Sequence, residues 1–495
     1  MRCVLIMPAW TPDEIFSSKT VSSQLNYWQP LGALYVGASL LEAGHDVAFL
    51  DGALLSHREI MQRVGELQPD FAGIYSTTFG WPAAAQTAEA VKSLDNGIFT
   101  CVGGPYPTTA GEDCLRDGGE GIDAVVVGEG ELAAVEILDR LQAGTGLDGV
   151  PGVIFRQGPR IVRNPPRPLL EDLDKLPFPA RGLLGDQNAY LPAPATYKRK
   201  PVAVVLTSRG CSRHCIFCWQ MDKDRKSGVR GVRFRSVENV LQEIEECLRQ
   251  GYREIKFIDD SFAADYDRAM AMSREIKARG LDFTWFASAC ANQVDEPLLR
   301  AMKDAGCWAI LIGAESGVQR NLNTLRKGIT LEQLRRAVRT AKDVGLRVNT
   351  PFLIGIPGET VEDALRTIDF AIELDPDLAN FHALTPFPGT YLYDHAREYG
   401  AVSGDLGDFT YQGAAFVPDT MTRDDILALR QLAFRRFYSR PSFLVRRICA
   451  LRTPSDVKAA VRGIKSLFWL WADRTVFVSG RRKAEGRERS RVAAL

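Results

Sequence analysis

Apolar residues recur in the first 150 positions as short runs, at 3–7, 46–50, 71–75, 99–103 and 123–127. Between them lie stretches with apolar positions at helical spacing, such as Ala33–Ala43 and Ala83–Ser93. Continuous apolar runs alternating with amphipathic helices predict βαβ units around a parallel sheet buried on both faces. Five such strands make a doubly wound, flavodoxin-like or Rossmann-like α/β domain, whose ligands sit beyond the C-terminal ends of the strands. From about residue 200 the alternation resumes with longer helices. Strands are predicted at 202–207, 254–259, 282–287, 308–313, 347–355 and 378–384, with helices such as Val237–Arg249, Tyr266–Ala278 and Leu331–Val344 between them. Six units exceed an open half-sheet and fall short of eight. A partial (β/α)6 TIM-like barrel follows, with its active site at the C-terminal mouth.

The organisation reads as a first domain at 1–150, a Pro- and Arg-rich linker at 151–197 with one hairpin at 153–163, a barrel at 198–410, and a C-terminal helical cap and basic tail at 411–495. In the last part, helical patterns are predicted at Thr422–Tyr438 and Pro454–Leu467.

Composition changes this picture little. With 45% hydrophobic and 25% charged residues the chain is an ordinary globular one. Lys+Arg and Asp+Glu are balanced at 61 each, so no overall field argues for nucleic acid or membrane. The exception is the tail, where Arg440–Leu495 carries fourteen Lys/Arg against four Asp/Glu and reads as a solvated end. Only Leu467–Trp471, flanked by Lys465 and Arg474, has the makings of a membrane-surface contact. Five apolar residues between Arg2 and Pro8 are too few for an export signal, so a cytoplasmic location is expected. Ten cysteines in 495 residues are too sparse for a disulfide scaffold.

Three of those cysteines stand together. Cys211, Cys215 and Cys218 are spaced C-x3-C-x2-C directly after the first barrel strand, at its mouth. Three soft thiolates suit three corners of an iron–sulfur cube and leave the fourth iron open to an outside ligand. The competing reading is zinc with His214 as fourth ligand, but His214 abuts Cys215 and is poorly placed to close a tetrahedron with it.

This triplet, with Phe217 before its third cysteine, resembles the radical S-adenosylmethionine (SAM) enzymes. The resemblance spans roughly 200–400 and implies a 4Fe–4S cluster that chelates SAM, cleaves it and yields a 5′-deoxyadenosyl radical. It places Phe217 and Trp219 near the adenine and the segment Asp259, Asp260, Ser261 at the methionine amine. Glu315 and Ser316 then fall at the ribose or methionine carboxylate, with Gly355 and Pro357 in a loop that helps close the barrel.

The first domain resembles the cobalamin-binding domain found before the barrel in one large branch of that family. The matching residues are Leu31 and Gly32, then Ser76, Thr77 and Thr78, then Gly103, Gly104 and Pro105, and finally Gly128, Glu129 and Gly130. Small residues at strand ends would let a flat corrin approach the backbone. No Asp-x-His-x-x-Gly pattern occurs, and His45 reads as structural, so the expected cobalamin has no protein histidine on its lower face.

The whole resembles the methyltransferase group of this branch and implies methylation of an unactivated carbon of a small biosynthetic intermediate, with methylcobalamin as methyl donor. The alternative is an oxidative cyclase or ring-rearranging enzyme, like the anaerobic magnesium-protoporphyrin monomethyl ester cyclase group. A reducing partner such as flavodoxin or ferredoxin is implied, and no nucleic acid. A cobalamin- or redox-responsive binding protein would leave the ordered barrel motifs unused.

Overall fold

The computed structural model describes residues 1–10, 27–193, 196–219, 231–410, 413–449 and 461. These fall into two compact units, the first comprising residues 1–11 and 29–189, the second 12–28 and 190–495.

In the first unit all five predicted strands form: β1 (Arg2–Met7), β2 (Asp46–Asp51), β3 (Phe71–Tyr75), β4 (Phe99–Gly103) and β5 (Ala124–Val126). They are parallel in the order β2-β1-β3-β4-β5, the flavodoxin-like order, which reverses direction between β1 and β3. Helices α1 (Leu31–Glu42), α2 (His57–Leu67), α3 (Trp81–Leu94), α4 (Pro105–Ala110), α5 (Asp113–Asp117) and α6 (Glu131–Gln142) connect them. A capping box sets the start of α2, where the Ser56 hydroxyl accepts the Glu59 amide and the Glu59 carboxylate answers. The predicted hairpin forms as β6 (Val153–Gln157) and β7 (Arg160–Arg163), but it is no free linker. It pairs antiparallel against β5 and extends the sheet to seven strands, and the chain stays with this unit to Ala189. Val153 and Phe155 bury their side chains with Ile137 and Leu138 of α6. Alternation over five residues had too little length to show that burial.

The second unit carries the six predicted strands as one parallel sheet: β8 (Val202–Val205), β11 (Glu254–Phe257), β12 (Thr284–Ala289), β13 (Cys307–Ile312), β14 (Arg347–Ile354) and β15 (Leu378–Ala383). Each pairs with the next in sequence, and the two outer strands are β8 and β15. This is the partial barrel. Two-residue strands β9 (Ser208–Arg209) and β10 (Arg233–Phe234) pair beside its mouth. The outer ring is α7 (Val237–Arg249), α8 (Tyr266–Ala278), α9 (Glu296–Asp304), α10 (Gln319–Thr324), α11 (Leu331–Asp343) and α12 (Val361–Leu374). Outward strand residues such as Val205, Ile255, Phe257, Trp285, Ile310 and Val348 bury against these helices in the main core. Phe257 and Phe262 each lie 5.3 Å from the Trp285 ring.

Beyond the barrel come α13 (Tyr391–His395), the antiparallel pair β16 (Gly400–Val402) and β17 (Phe416–Pro418), α14 (Arg423–Tyr438) and α15 (Pro441–Cys449). The hairpin was not foreseen, being two three-residue strands. Helix α14 packs on the outer strand β15. Its Tyr438 hydroxyl donates to the Ala379 carbonyl (2.8 Å) and accepts the Ala379 amide (3.1 Å), while Arg430 Nε donates to the Phe381 carbonyl (3.0 Å). A strand edge that would otherwise expose unpaired backbone is thereby satisfied. Apart from residue 461, the predicted helix Pro454–Leu467 lies outside the described residues, as does the Leu467–Trp471 segment. Among the described residues no helix is long and apolar enough to cross a membrane.

Candidate active site

The three cysteines follow β9, on the loop that leaves the barrel's first strand. Cys215 is buried, Cys211 half-buried and Cys218 exposed. Between the second and third cysteines the chain is nailed down. Ile216 donates its amide to the Leu325 carbonyl (3.1 Å) and accepts the Leu392 amide (2.9 Å). Its side chain is buried among Leu325, Leu353, Ile356, Leu384 and Leu392, with Phe217 packed alongside. A hydrogen bond between Cys215 and Cys218 holds Cys215 down to about 7 and pushes Cys218 above the ordinary thiol value. Burial pushes Cys211 up to about 11.

Beside the thiols lies a buried ion pair, Lys327 Nζ to Glu315 Oε1 at 2.7 Å. Burial opposes the charge on Lys327, but Glu315 and the thiols of Cys215 and Cys290 outweigh it and hold the ammonium's pKa above the ordinary value. Glu315 sits at φ 66° just past β13, where the Pro351 carbonyl accepts its amide at 3.0 Å. The glycines around it are required. A Cβ on Gly313 would lie 2.6 Å from Glu315 Oε1 and 2.7 Å from Lys327 Nζ, and one on Gly317 would lie 2.4 Å from the Phe370 Cβ. Removing one partner of such a pair leaves an uncompensated buried charge, a loss of about 3–5 kcal/mol.

The remaining predicted residues divide into those that face the mouth and those that hold it together. Asp259 is buried, and its Oδ1 accepts the Thr207 amide (2.8 Å), the Thr207 hydroxyl (2.9 Å) and the Ser208 hydroxyl (2.7 Å). It ties β11 to the approach to the cysteine loop, and only Oδ2, buried without a partner among the described residues, is left over. Asp260 is exposed. Ser261 donates to Gln293 Oε1 at 2.6 Å. Ser316 is fully buried, with its hydroxyl 3.0 Å from that of Thr367 and accepting from Asn321 Nδ2 at 3.2 Å. Asn321 also donates to Glu359 Oε1 (3.0 Å), whose Oε2 accepts the amides of Gly355 (2.7 Å) and Ile356 (3.1 Å). Gly355 at φ 90° and Pro357 form the turn that this carboxyl holds. Ser316 is thus a scaffold residue. The indole N–H of Trp219 is buried without a partner among the described residues.

Lys327, Asn321 and Cys290 were not foreseen as members of this site. Lys327 meets Glu315 twelve residues on, around a helix, a spacing with no local signature. Cys290 ends the β12 strand pattern and reads as one more core thiol. Glu359 was visible only as an early-helix carboxylate.

In the first unit the predicted residues gather on the C-terminal edge of the sheet. Ser76–Thr78 follow β3, Gly103 ends β4 with Gly104 and Pro105 after it, Gly128–Gly130 follow β5, and Leu31 and Gly32 open α1. Gly104 adopts φ 110°, ψ −170°, and a Cβ there would lie 2.7 Å from the Ser76 carbonyl oxygen. At Gly32 and at Gly128 (φ 97°) a Cβ would meet nothing within 4 Å, so the rim is open. Thr77 is exposed, with its hydroxyl accepting the Gly80 amide at 3.1 Å. Glu129 is engaged in the fold, accepting the Leu170 amide at 2.9 Å. His45 is buried between α1 and the start of β2, on the opposite edge.

The Radical SAM superfamily model matches residues 205–371, and the B12 binding domain model matches 19–138. An uncharacterized methyltransferase of Pyrococcus horikoshii is 34% identical over 481 residues, covering 95% of this chain and 99% of its own. The anaerobic magnesium-protoporphyrin IX monomethyl ester cyclase of Rubrivivax gelatinosus is 27% identical, covering 84% and 75%. Among solved structures, the radical SAM methyltransferase TsrM of Kitasatospora setae superposes with a TM-score of 0.69 at 17% identity, covering 94% and 98%. The cobalamin-dependent SAM radical enzyme OxsB superposes with 0.71 at 16% identity, covering 95% and 72%. The chain belongs to the radical SAM superfamily, in the branch that joins a B12-binding domain to the barrel. It is an enzyme of that class, and its cofactors are a 4Fe–4S cluster, SAM and cobalamin.

The residues fit those groups. Three thiols stand on one anchored loop, one of them already held toward the thiolate, beside a buried cation that balances negative charge. Among the described residues no three His, Cys, Asp or Glu side chains close on a single point. A cube takes one thiolate per iron, so its ligands need not converge in that way. The glycine rim of the first sheet leaves unfilled space where a flat macrocycle can lie.

Proposed function

We propose that this enzyme is a C-methyltransferase acting on an unactivated carbon of a small biosynthetic intermediate. The observation that carries this reading is the near end-to-end likeness, 34% over 95% of the chain, to a protein named as a methyltransferase. When bound, the cluster and SAM supply a 5′-deoxyadenosyl radical and cobalamin carries the methyl group. The chain's own part is placement and exclusion of water. Cys211, Cys215 and Cys218 hold the cluster, and Ile216 fixes the loop that bears them. Glu315, with Oε1 held by Lys327, offers its other oxygen to ribose hydroxyls, while Asp260 faces the mouth for the methionine amine. Trp219, whose indole N–H has no partner among the described residues, and Phe217 form the apolar side of the nucleoside site. A flavodoxin- or ferredoxin-type donor delivers the electron. On the first sheet, Ser76–Thr78 and the glycines at 103, 104, 128 and 130 receive the corrin.

A second reading, an oxidative cyclase or ring-rearranging enzyme, is favoured by the 27% likeness to the magnesium-protoporphyrin cyclase over 84% of the chain. Turnover with SAM bearing a deuterated methyl group separates them. Methyl transfer puts the label in product and forms S-adenosylhomocysteine alongside 5′-deoxyadenosine in comparable amounts. Full substrate conversion without S-adenosylhomocysteine rejects methyl transfer and leaves the cyclase reading.

A further inference from the structure

The inward row of β11 runs Glu254, Lys256, then Ile258 and Asp260 beyond the strand, while Ile255 and Phe257 face the helices. Glu254 is the floor of the lumen, and its carboxylate is occupied by other groups, three donors on Oε2 and one on Oε1. It accepts the amides of Lys198 (3.2 Å) and Arg199 (2.9 Å), the Trp308 indole N–H (2.7 Å) and the Thr284 hydroxyl. One layer up, Lys256 is 1% exposed. Its ammonium stands 4.4 Å from the Phe286 ring centroid and 4.9 Å from that of Trp28. Among the described residues it makes no ion pair and no hydrogen bond. One layer further, Ile258 is 40% exposed and Asp260 is exposed, so the row opens to the mouth directly above the lysine.

Glu254 attracts this ammonium without bonding it, so the charge is buried with no direct partner among the described residues. Stripping water from an ammonium costs several kcal/mol, and two ring faces return about 2 kcal/mol or somewhat more when desolvated. Burial pushes Lys256 down to about 8, which still leaves it mostly protonated at neutral pH. A purely structural lysine in a barrel would share the carboxylate two residues away. Here neither oxygen of that carboxylate bonds the ammonium, Oε2 being taken by three donors and Oε1 by the Trp308 indole, and the aromatic wall supplies no acceptor.

We infer that Lys256 anchors an anionic oxygen group of the substrate, a carboxylate or a phosphate, lowered into the barrel lumen from its mouth. The inference rests on the reading of the mouth as the active site and names the class of molecule taken there. It gives the substrate a polarity: charged end down beside Phe286 and Trp28, reacting end up toward the cysteine loop.

The test is thermal melting of the reconstituted holoenzyme with butyrate, with inorganic phosphate and with uncharged butyramide at matched ionic strength. A ligand that binds only the folded chain raises Tm saturably. Butyrate or phosphate should do so and butyramide should not, and the arm that responds names the anion. In Lys256→Met the half-saturating concentration should rise about tenfold or more, and in Lys256→Arg it should stay within about threefold, because only the cation is required. Iron content equal to wild type shows that each variant has folded; if Lys256→Met does not, Lys256→Gln takes its place. An unchanged titration in the variant, or no difference between butyrate and butyramide in the wild type, overturns the inference. Because the readout is binding, it is independent of whether turnover yields methylated or cyclised product.

Discussion

At the barrel mouth, buried side chains are held by dense hydrogen-bond networks and an ion pair. Asp259 gathers three donors, Glu359 gathers three more, Ser316 is locked to Thr367 and Asn321, and Glu315 is paired with Lys327. Along the C-terminal edge of the first sheet the opposite rule applies. The rim is glycine and backbone, with space at Gly32 and Gly128 and one close approach at Gly104. The difference follows the guests expected at each surface. Radical generation at one carbon–sulfur bond demands reacting atoms fixed to fractions of an ångström, which networks supply. A broad flat ring demands a shape, which missing side chains supply.

The sharpest way to break this contrast is at the cysteines. If each thiolate holds one iron, Cys211→Ala, Cys215→Ala or Cys218→Ala should each abolish 5′-deoxyadenosine formation. Cys247→Ala and Cys307→Ala, at buried core thiols, should leave iron content and cleavage in place. SAM cleavage surviving in the triple variant would refute the cluster assignment.

The first-sheet rim offers a graded pair. Gly104→Ala forces a Cβ against the Ser76 carbonyl at a φ suited to glycine, for a loss of about 1–3 kcal/mol, and should abolish cobalamin retention while cluster iron stays with the barrel. Gly128→Ala meets no neighbour, so its backbone penalty is about 1 kcal/mol, yet its methyl points into the open rim and should weaken cobalamin binding. Equal cobalamin affinity in Gly128→Ala and wild type would remove that rim from the cofactor surface.

The smallest effect concerns Glu359, which burial pushes up from 4.5 to about 8 against the pull of its amide donors. The folded value lies above the unfolded one, so the native chain binds that proton more tightly. Its contribution to stability is complete below about pH 4.5 and is lost as pH rises through about 8. Tm of the wild type should therefore fall more steeply across this window than that of Glu359→Gln, which cannot ionise. Matching slopes would show that another group titrates.

Eleven strands were legible from apolar runs, because a sheet buried on both faces writes itself as continuous hydrophobic stretches. The seams were not. The hairpin β6–β7 was expected, but its Pro- and Arg-rich setting gave no sign that it joins the first sheet beside β5, and β16 and β17 are three residues each, too short for any period to register. In the site, local spacing identified the cysteine loop. It could not tell Ser316, whose hydroxyl meets Thr367 and Asn321, from Glu315, which pairs with Lys327, since adjacent residues on one loop differ only in the neighbours they meet. Lys327 and Lys256 depend on contacts between distant segments, Lys256 most of all, because its lack of a bonded partner shows only once Glu254 is seen bonded to other groups.

The anchoring of Ile216 has a consequence for how the enzyme matures. Its amide needs the carbonyl of Leu325, its carbonyl needs the amide of Leu392, and its side chain needs Leu353 and Leu384. All of these are synthesised after the cysteines, the last of them more than 170 positions later. On the ribosome, therefore, the three thiols emerge early onto a loop that nothing yet holds. The loop gains all of these anchors only once the barrel's final strand has joined the sheet, so iron delivery to it is expected after translation of the barrel, and a chain interrupted before Leu392 would carry the three thiols on a loop without them.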